Sequence, residues 1–137
     1  VENAVVPDLA EDAALIAAAR DKTAVYSFSA PLQAGAVLAG ADEASIAALG
    51  DAGARIGLAF QLVDDLIGAF GTADQAGKEE GGDLREAKRT PLIAFARQTA
   101  AWSRVNDALA VAHTGPIAIR EAQEALERAL ELLQLYD

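Results

Sequence analysis

A chain of 137 residues that is 53% hydrophobic and 23% charged can bury a core of its own, which excludes wholesale disorder, and it is short for two domains of ordinary size. With no cysteine it has neither a disulfide framework nor a thiolate metal site, and eleven basic residues against twenty-one acidic ones give a formal charge of -10 that argues against nucleic acid as a partner. No apolar stretch runs the ~20 residues of a membrane span, no basic-then-apolar signal opens the chain, and a start at Val1 with no methionine anywhere reads as a piece of something longer.

Alanine and leucine dominate while β-branched runs are scarce, the profile of helices separated by short breaks. Asp8 or Asp12 can cap a first helix that carries Leu9, Ala13, Ile16 and Ala17 on to Arg20. A second segment starts near Asp21-Lys22-Thr23 and holds Val25, Phe28, Leu32 and Ala36 at helical spacing. Pro31 should kink it or mark its first continuous turn. Gly40-Ala41-Asp42 reads as a stop followed by a cap.

From Glu43 to about Phe70 runs the longest helical pattern, with Ile46, Leu49, Ile56, Phe60, Val63 and Ile67. At ~1.5 Å per residue it spans roughly 40 Å. Gly50, Gly53 and Gly57 fall nearly on one face, where another backbone can approach closely, so a helix packed on several sides is expected. Residues 71–91 form the only sustained break. Two helices follow, about 92–113 and 116–135, the second opening at Pro116 and setting Ile117, Ile119, Ala122, Leu126, Leu130 and Leu133 against a charged face. The expectation is an all-α chain of about five helices, with Tyr26, Phe95 and Trp102 in its core.

The chemistry concentrates in Phe60-Gln61-Leu62-Val63-Asp64-Asp65-Leu66-Ile67-Gly68. Gln61, Asp64 and Asp65 share one side of the helix by the three-and-four rule. Carboxylates buried in an apolar helix are costly unless a cation compensates, and near a helix C-terminus the macrodipole already disfavours them. A divalent cation held by oxygen ligands meets both demands, and two carboxylates with open positions suit Mg²⁺ shared with phosphates. The plain alternative is two solvated acids where the helix reaches the surface. Each lysine, taken alone, also reads as a solvated charge. Together, Lys22-Thr23, Gly77-Lys78 and Lys88-Arg89-Thr90 beside the acidic pair fit an anionic, phosphate-bearing ligand.

Other motifs fail. Gly71 to Gly77-Lys78 has the wrong spacing for a P-loop, Glu79 stands where Ser or Thr is needed, and no strand precedes it. The single histidine, His113, reads as a residue at the C-terminus of a helix.

The combination Lys22-Thr23, Gly35-Ala36, Ala39-Gly40-Ala41, Phe60-Gln61-x-x-Asp64-Asp65 and Gly77-Lys78-x-x-x-x-Asp83-Leu84-Arg85-x-x-Lys88-x-Thr90 resembles the C-terminal half of the trans-isoprenyl diphosphate synthase, or polyprenyl synthetase, family. The flavour of residues 22–27 and 65–71 is similar to bacterial geranylgeranyl-type members. The resemblance covers about residues 20–100. It implies the C-terminal half of an isoprenoid-synthase-type helical bundle, so that 1–137 is one partial domain. It implies a Mg²⁺-dependent prenyltransferase in which an allylic diphosphate ionises and the carbocation alkylates isopentenyl diphosphate. By motif position Asp64 and Asp65 bind the metal. Lys22, Thr23, Gln61, Lys78 and Lys88 hold the allylic diphosphate or stabilise the developing charge, and Phe60 faces the prenyl cavity. A cytoplasmic protein, homodimeric when full length, is the further implication.

The chain departs from the family pattern at three points. Gly68 stands where many members carry a third aspartate, and Ala87 replaces the usual glycine of an Arg-Glu-Gly-Lys run, a minor change. The first aspartate-rich motif has no counterpart, so the chain alone is expected to be inactive. A non-catalytic helical subunit that regulates a full-length synthase is the alternative. Retention of Lys22, Gln61, Asp64, Asp65, Lys78 and Lys88 favours the enzyme. A terpene cyclase wants Asn/Asp-Asp-x-x-Ser/Thr-x-x-x-Glu. Asp64-Asp65 is followed by Gly68 and Thr72, Asn106-Asp107 by Ala110 and Thr114, and both fail it.

Overall fold

Pro31, Pro91 and Pro116 each stand within the first two residues of an α-helix, where the missing N–H costs nothing, and they punctuate an all-helical chain. The structure is a computed structural model that describes residues 13–14, 17–18, 20–77 and 79–134. The first expected helix lies largely outside the described residues. The rest comprises a π-helical segment (Arg20–Ser29), α1 (Ala30–Leu38), α2 (Glu43–Phe70), α3 (Ala73–Ala76), α4 (Gly82–Arg85), α5 (Pro91–Arg97), α6 (Trp102–Val111), a 3₁₀ turn (Ala112–Thr114) and α7 (Pro116–Gln134). No strand occurs among the described residues, as the all-α expectation required.

The chain divides into a unit within Ile16–Val63 and a unit containing the residues from Asp64 on. In the first, the glycine stripe of α2 does what its spacing implied. A Cβ on Gly53 would stand 2.8 Å from the Cα of Ser29, and one on Gly57 would stand 2.7 Å from the Cβ of Ala24 and 3.0 Å from the Phe28 ring. Backbones approach there because side chains are missing. Ser29 Oγ donates to the Gly50 carbonyl at 2.9 Å across the same seam. The buried apolar side chains described in this unit are Ala24 and Ala36, while Val25, Tyr26, Leu32, Val37, Leu38, Leu49, Ile56, Phe60 and Val63 face outward. So α2 is covered along one face here, not on several. Tyr26, expected in the core, is 82% exposed.

The π-helical turns were not legible in the sequence. They end at Ser29, and α1 takes over from Ala30 with Pro31 at its second position, so the proline marks a first regular turn. At the other end of α1 the chain closes as a Schellman motif: Ala41 N–H donates to Ala36 O at 3.0 Å and Gly40 N–H to Val37 O at 3.0 Å, with Gly40 left-handed at φ 73°. Asp42 Oδ1 then accepts from Ser45 N–H at 2.8 Å and caps α2.

A conventional core fills the second unit. Leu84, Leu92, Ile93, Val105, Ala122, Leu126 and Ala129 are buried together, with Trp102 packed against them. The helix expected over 92–113 is two helices. The hydroxyl of Thr99 donates to the Ala96 carbonyl at 2.8 Å and Gln98 Nε2 to the Ala94 carbonyl at 3.4 Å, local bonds that compete with the helical ladder and end α5. The long break after α2 contains α3, opened by a Thr72–Gln75 capping box, and α4. His113 lies exposed in the 3₁₀ turn after α6, while Ile117, expected on the apolar face of α7, is 78% exposed in its first turn.

By length and composition alone, α2 is apolar enough to cross a membrane, and its most apolar stretch is 17% buried. The sequence reading found no such span because Asp51, Arg55, Asp64 and Asp65 interrupt every continuous apolar run.

Candidate functional site

In the unit within Ile16–Val63, the Thr23 hydroxyl donates to Gln61 Oε1 at 2.7 Å, which fixes how the glutamine amide is turned. Lys22 stands beside Thr23 in the π-helical segment, a helix type that often marks functional positions. Phe60, one residue before Gln61, is 56% exposed, and its ring stands 5.6 Å from that of Phe28, tilted by 49°. Around it lie the outward-facing Ile56 and Val63. The open face is therefore apolar, with one polar pair at its edge.

In the second unit the two aspartates part company. Successive helical residues turn by about 100°, so one carboxylate can face water while the next is enclosed. Asp64 is exposed, and Asp65 is 6% accessible. The solvated-pair alternative thus fits Asp64 and fails for Asp65. Both stand in the last turns of a 28-residue helix, where the macrodipole favours a cation nearby.

Gly68, one turn further, receives a group that spacing had left without a role. A Cβ built on Gly68 would overlap the Asp83 carboxylate, with the Asp83 Cγ 2.6 Å away. Asp83 opens α4 and accepts from Lys88 Nζ at 2.6 Å, and Glu86 lies 3.3 Å from the same ammonium. Lys88 is held above its ordinary lysine value of 10.5, mainly by the hydrogen bond it donates to Asp83, with desolvation opposing and Glu86 adding to it.

The loop that delivers Lys88 is a second Schellman motif. Lys88 N–H donates to Asp83 O at 2.9 Å and Ala87 N–H to Leu84 O at 3.1 Å, and Ala87 takes the left-handed position at φ 50°. Ala87 is the one non-glycine with positive φ among the described residues, so its exchange for the family's glycine is a backbone matter and not a minor one. From the other side, Gln123 Nε2 of α7 donates to the Ala69 carbonyl at 2.9 Å, satisfying one of the last carbonyls of α2. Gly81, left-handed at φ 63°, leaves room for Ile119. Lys78 lies outside the described residues.

The structure therefore brings Asp83 and Lys88 to the end of the aspartate helix and, in the other unit, Thr23 to Gln61. Sequence reasoning missed the roles of Asp83 and Gly68, which are fifteen positions apart; the glycine-to-alanine change at 87 was the available signal. Among the described residues no group of three His, Cys, Asp or Glu side chains is placed to hold a metal. Two carboxylates of hard oxygen donors still suit Mg²⁺, which binds through one or two of them and completes its shell with water and phosphate oxygens.

The family model for polyprenyl synthetase matches residues 4–131. A geranylgeranyl diphosphate synthase of Mycobacterium tuberculosis is 40% identical over 102 residues, covering 74% of this chain and 28% of that protein. A geranylfarnesyl diphosphate synthase of Natronomonas pharaonis is 42% identical over 76 residues, 56% of this chain and 22% of its own. A (2E,6E)-farnesyl diphosphate synthase of Mycobacterium tuberculosis is 41% identical over 92 residues, 61% of this chain and 25% of its own. The chain thus spans about a quarter of the length of such relatives, between 22% and 28%. No solved structure matches it.

Proposed function

This chain belongs to the polyprenyl synthetase family, and from that premise we propose that it is the diphosphate-handling part of a prenyltransferase that joins an allylic diphosphate to isopentenyl diphosphate. The observation that carries the reading is the seating of the Asp83–Lys88 pair on Gly68, one turn beyond Asp64 and Asp65 on the same helix, in a chain whose overall charge is -10. An acidic protein that holds a lysine at the end of the helix carrying two aspartates can offer a metal and an ammonium to one anion.

The assignments follow unit by unit. Asp64 and Asp65 are the Mg²⁺ ligands, and the bound metal supplies charge that stabilises the departing diphosphate. Lys88 and Lys78 bind the same leaving group. In the unit within Ile16–Val63, Lys22, Thr23 and Gln61 are assigned to diphosphate binding, Gln61 with its amide turned by Thr23, and Phe60 to the prenyl chain. The outward apolar side chains of α2 and its neighbours are the kind of surface a hydrocarbon chain and further helices require. The matched region is common to relatives named for farnesyl, geranylgeranyl and geranylfarnesyl products, so what it contributes is chemistry shared across product lengths. We read the chain as part of one larger domain, active as a homodimeric cytoplasmic enzyme when the upstream half is joined to it.

The test is reconstitution. The chain alone should turn over nothing. Joined to an upstream half carrying the first aspartate-rich motif, it should convert an allylic diphosphate and isopentenyl diphosphate to a longer prenyl diphosphate with Mg²⁺ and not with EDTA. A joined, folded protein that makes no prenyl diphosphate removes the enzyme reading.

A further inference from the structure

Gly68 is three residues beyond Asp65 and four beyond Asp64, so a side chain there would lie on the surface next to both. That space is taken by the Asp83 carboxylate, whose Cγ stands 2.6 Å from where a Cβ on Gly68 would be. Asp83 is well enclosed, with 14% of its side chain accessible, while Lys88 keeps 41% of its own. The inner partner is fixed and the outer one faces solvent. Two further features hold the pair in this order. The Schellman turn folds Lys88 back over the residue five positions earlier, with Lys88 N–H on Asp83 O at 2.9 Å. The Lys88 ammonium then meets Asp83 Oδ1 at 2.6 Å, so backbone and side chain of Lys88 both close on Asp83.

We propose that Asp83 is a positioning residue, seated on Gly68 so that it aims the Lys88 ammonium at a diphosphate held beside Asp64 and Asp65. The absent side chain at position 68 is then a requirement and not a loss, because any Cβ there displaces the carboxylate that sets the lysine. An ammonium has three donors, of which Asp83 and Glu86 engage two, and the third is the one a phosphate oxygen can take. The left-handed Ala87 fits the same scheme: the turn is held in a strained conformation at the residue next to the lysine it presents. The inference rests on the assignment of Lys88 to diphosphate binding and deepens it.

Positioning and bulk charge predict opposite signs, which makes the experiment decisive. Pyrophosphate with Mg²⁺ is titrated calorimetrically onto the 137-residue chain and its variants. If charge alone matters, Asp83→Asn removes a repelling carboxylate and binding tightens. If Asp83 positions Lys88, Asp83→Asn weakens binding about tenfold, Gly68→Ala weakens it comparably, and the double variant is little worse than either alone, since both break one device. Lysine ammonium NMR of Asp83→Asn should show the Lys88 pKa falling back toward 10.5 while circular dichroism and the melting temperature stay close to those of the unaltered chain, a combination that general loosening of the fold does not produce. Lys88→Ala separates the two claims. If Lys88→Ala weakens binding but Asp83→Asn leaves it unchanged or tighter, the positioning role is wrong and the diphosphate assignment stands. If Lys88→Ala has no effect, or the unaltered chain binds no pyrophosphate, the assignment falls and the inference with it.

Discussion

Two helices in this chain end in the same hydrogen-bond motif and are used differently. At the end of α1, the left-handed residue is Gly40, and the chain passes straight to Asp42, which caps α2. At the end of α4, the left-handed residue is Ala87, and the chain passes to Lys88, which closes on Asp83. The first turn is built without strain and serves the fold. The second holds a Cβ where L-residues avoid it, at a cost of roughly 1–2 kcal/mol, and it carries the candidate ligand-binding cation. Strain of that kind persists where surroundings over-determine it, which is where function is to be sought.

The sharpest way to break the comparison is to remove what each turn delivers. In the reconstituted enzyme, Lys88→Ala should lower kcat/KM by about 10²–10³, as losing one preorganised charge-stabilising group does, while leaving stability within about 0.5–1 kcal/mol because the ion pair is partly exposed. Asp42→Ala should do the reverse, lowering the melting temperature by unfastening the α2 cap while pyrophosphate binding stays as it was. Steady-state kinetics and thermal melts on both variants check the pair. If Asp42→Ala lost affinity and Lys88→Ala lost only stability, the two ends would have been assigned the wrong way round.

Next come the left-handed residues themselves. Gly40→Ala should cost about 1 kcal/mol, the left-handed penalty partly offset by a stiffer unfolded chain, and Ala87→Gly should gain about 0.5–1 kcal/mol for the converse reason. Denaturant melts resolve both. A destabilising Ala87→Gly would mean that the alanine is not strained.

The smallest effect is one of pH. Lys88 has a raised pKa in the folded chain, so the stability from its pairing with Asp83 is fully present below the ordinary lysine value of 10.5 and is lost as pH rises through the higher folded value. Melts from pH 9 to 12 should show this loss, and Asp83→Asn should abolish that contribution. Asp42 has the opposite sign. Its carboxyl is held below its ordinary 3.8 by the backbone N–H of Ser45, so its contribution is present above that value and is lost as pH falls through the lower one.

Much of this was legible because local signals are strong. The bounds of α2, the stop at Gly40, the cap at Asp42 and the helix starts near Pro91 and Pro116 follow from residues whose backbone preferences decide the outcome alone. Periodicity showed which residues share a face but not whether that face finds a partner, so Tyr26 and Ile117 were assigned inward and stand exposed. The separation of Asp65 from Asp64 depends on what packs over the helix. The π-helical turns, the short helices between α2 and α5 and the break at Gln98-Thr99 depend on tertiary placement or on single side-chain bonds. Asp83 was visible as a motif residue, yet only the packing of α4 against the bare backbone of Gly68 gives it a role.

The central claim is that the end of α2 handles the diphosphate, and Asp64→Ala in the reconstituted enzyme tests it most directly. Prenyl transfer should fall by about a hundredfold or more, with far-ultraviolet circular dichroism unchanged because Asp64 is exposed. A rate equal to that of the unaltered protein would make Asp64 a solvated surface acid and contradict the account.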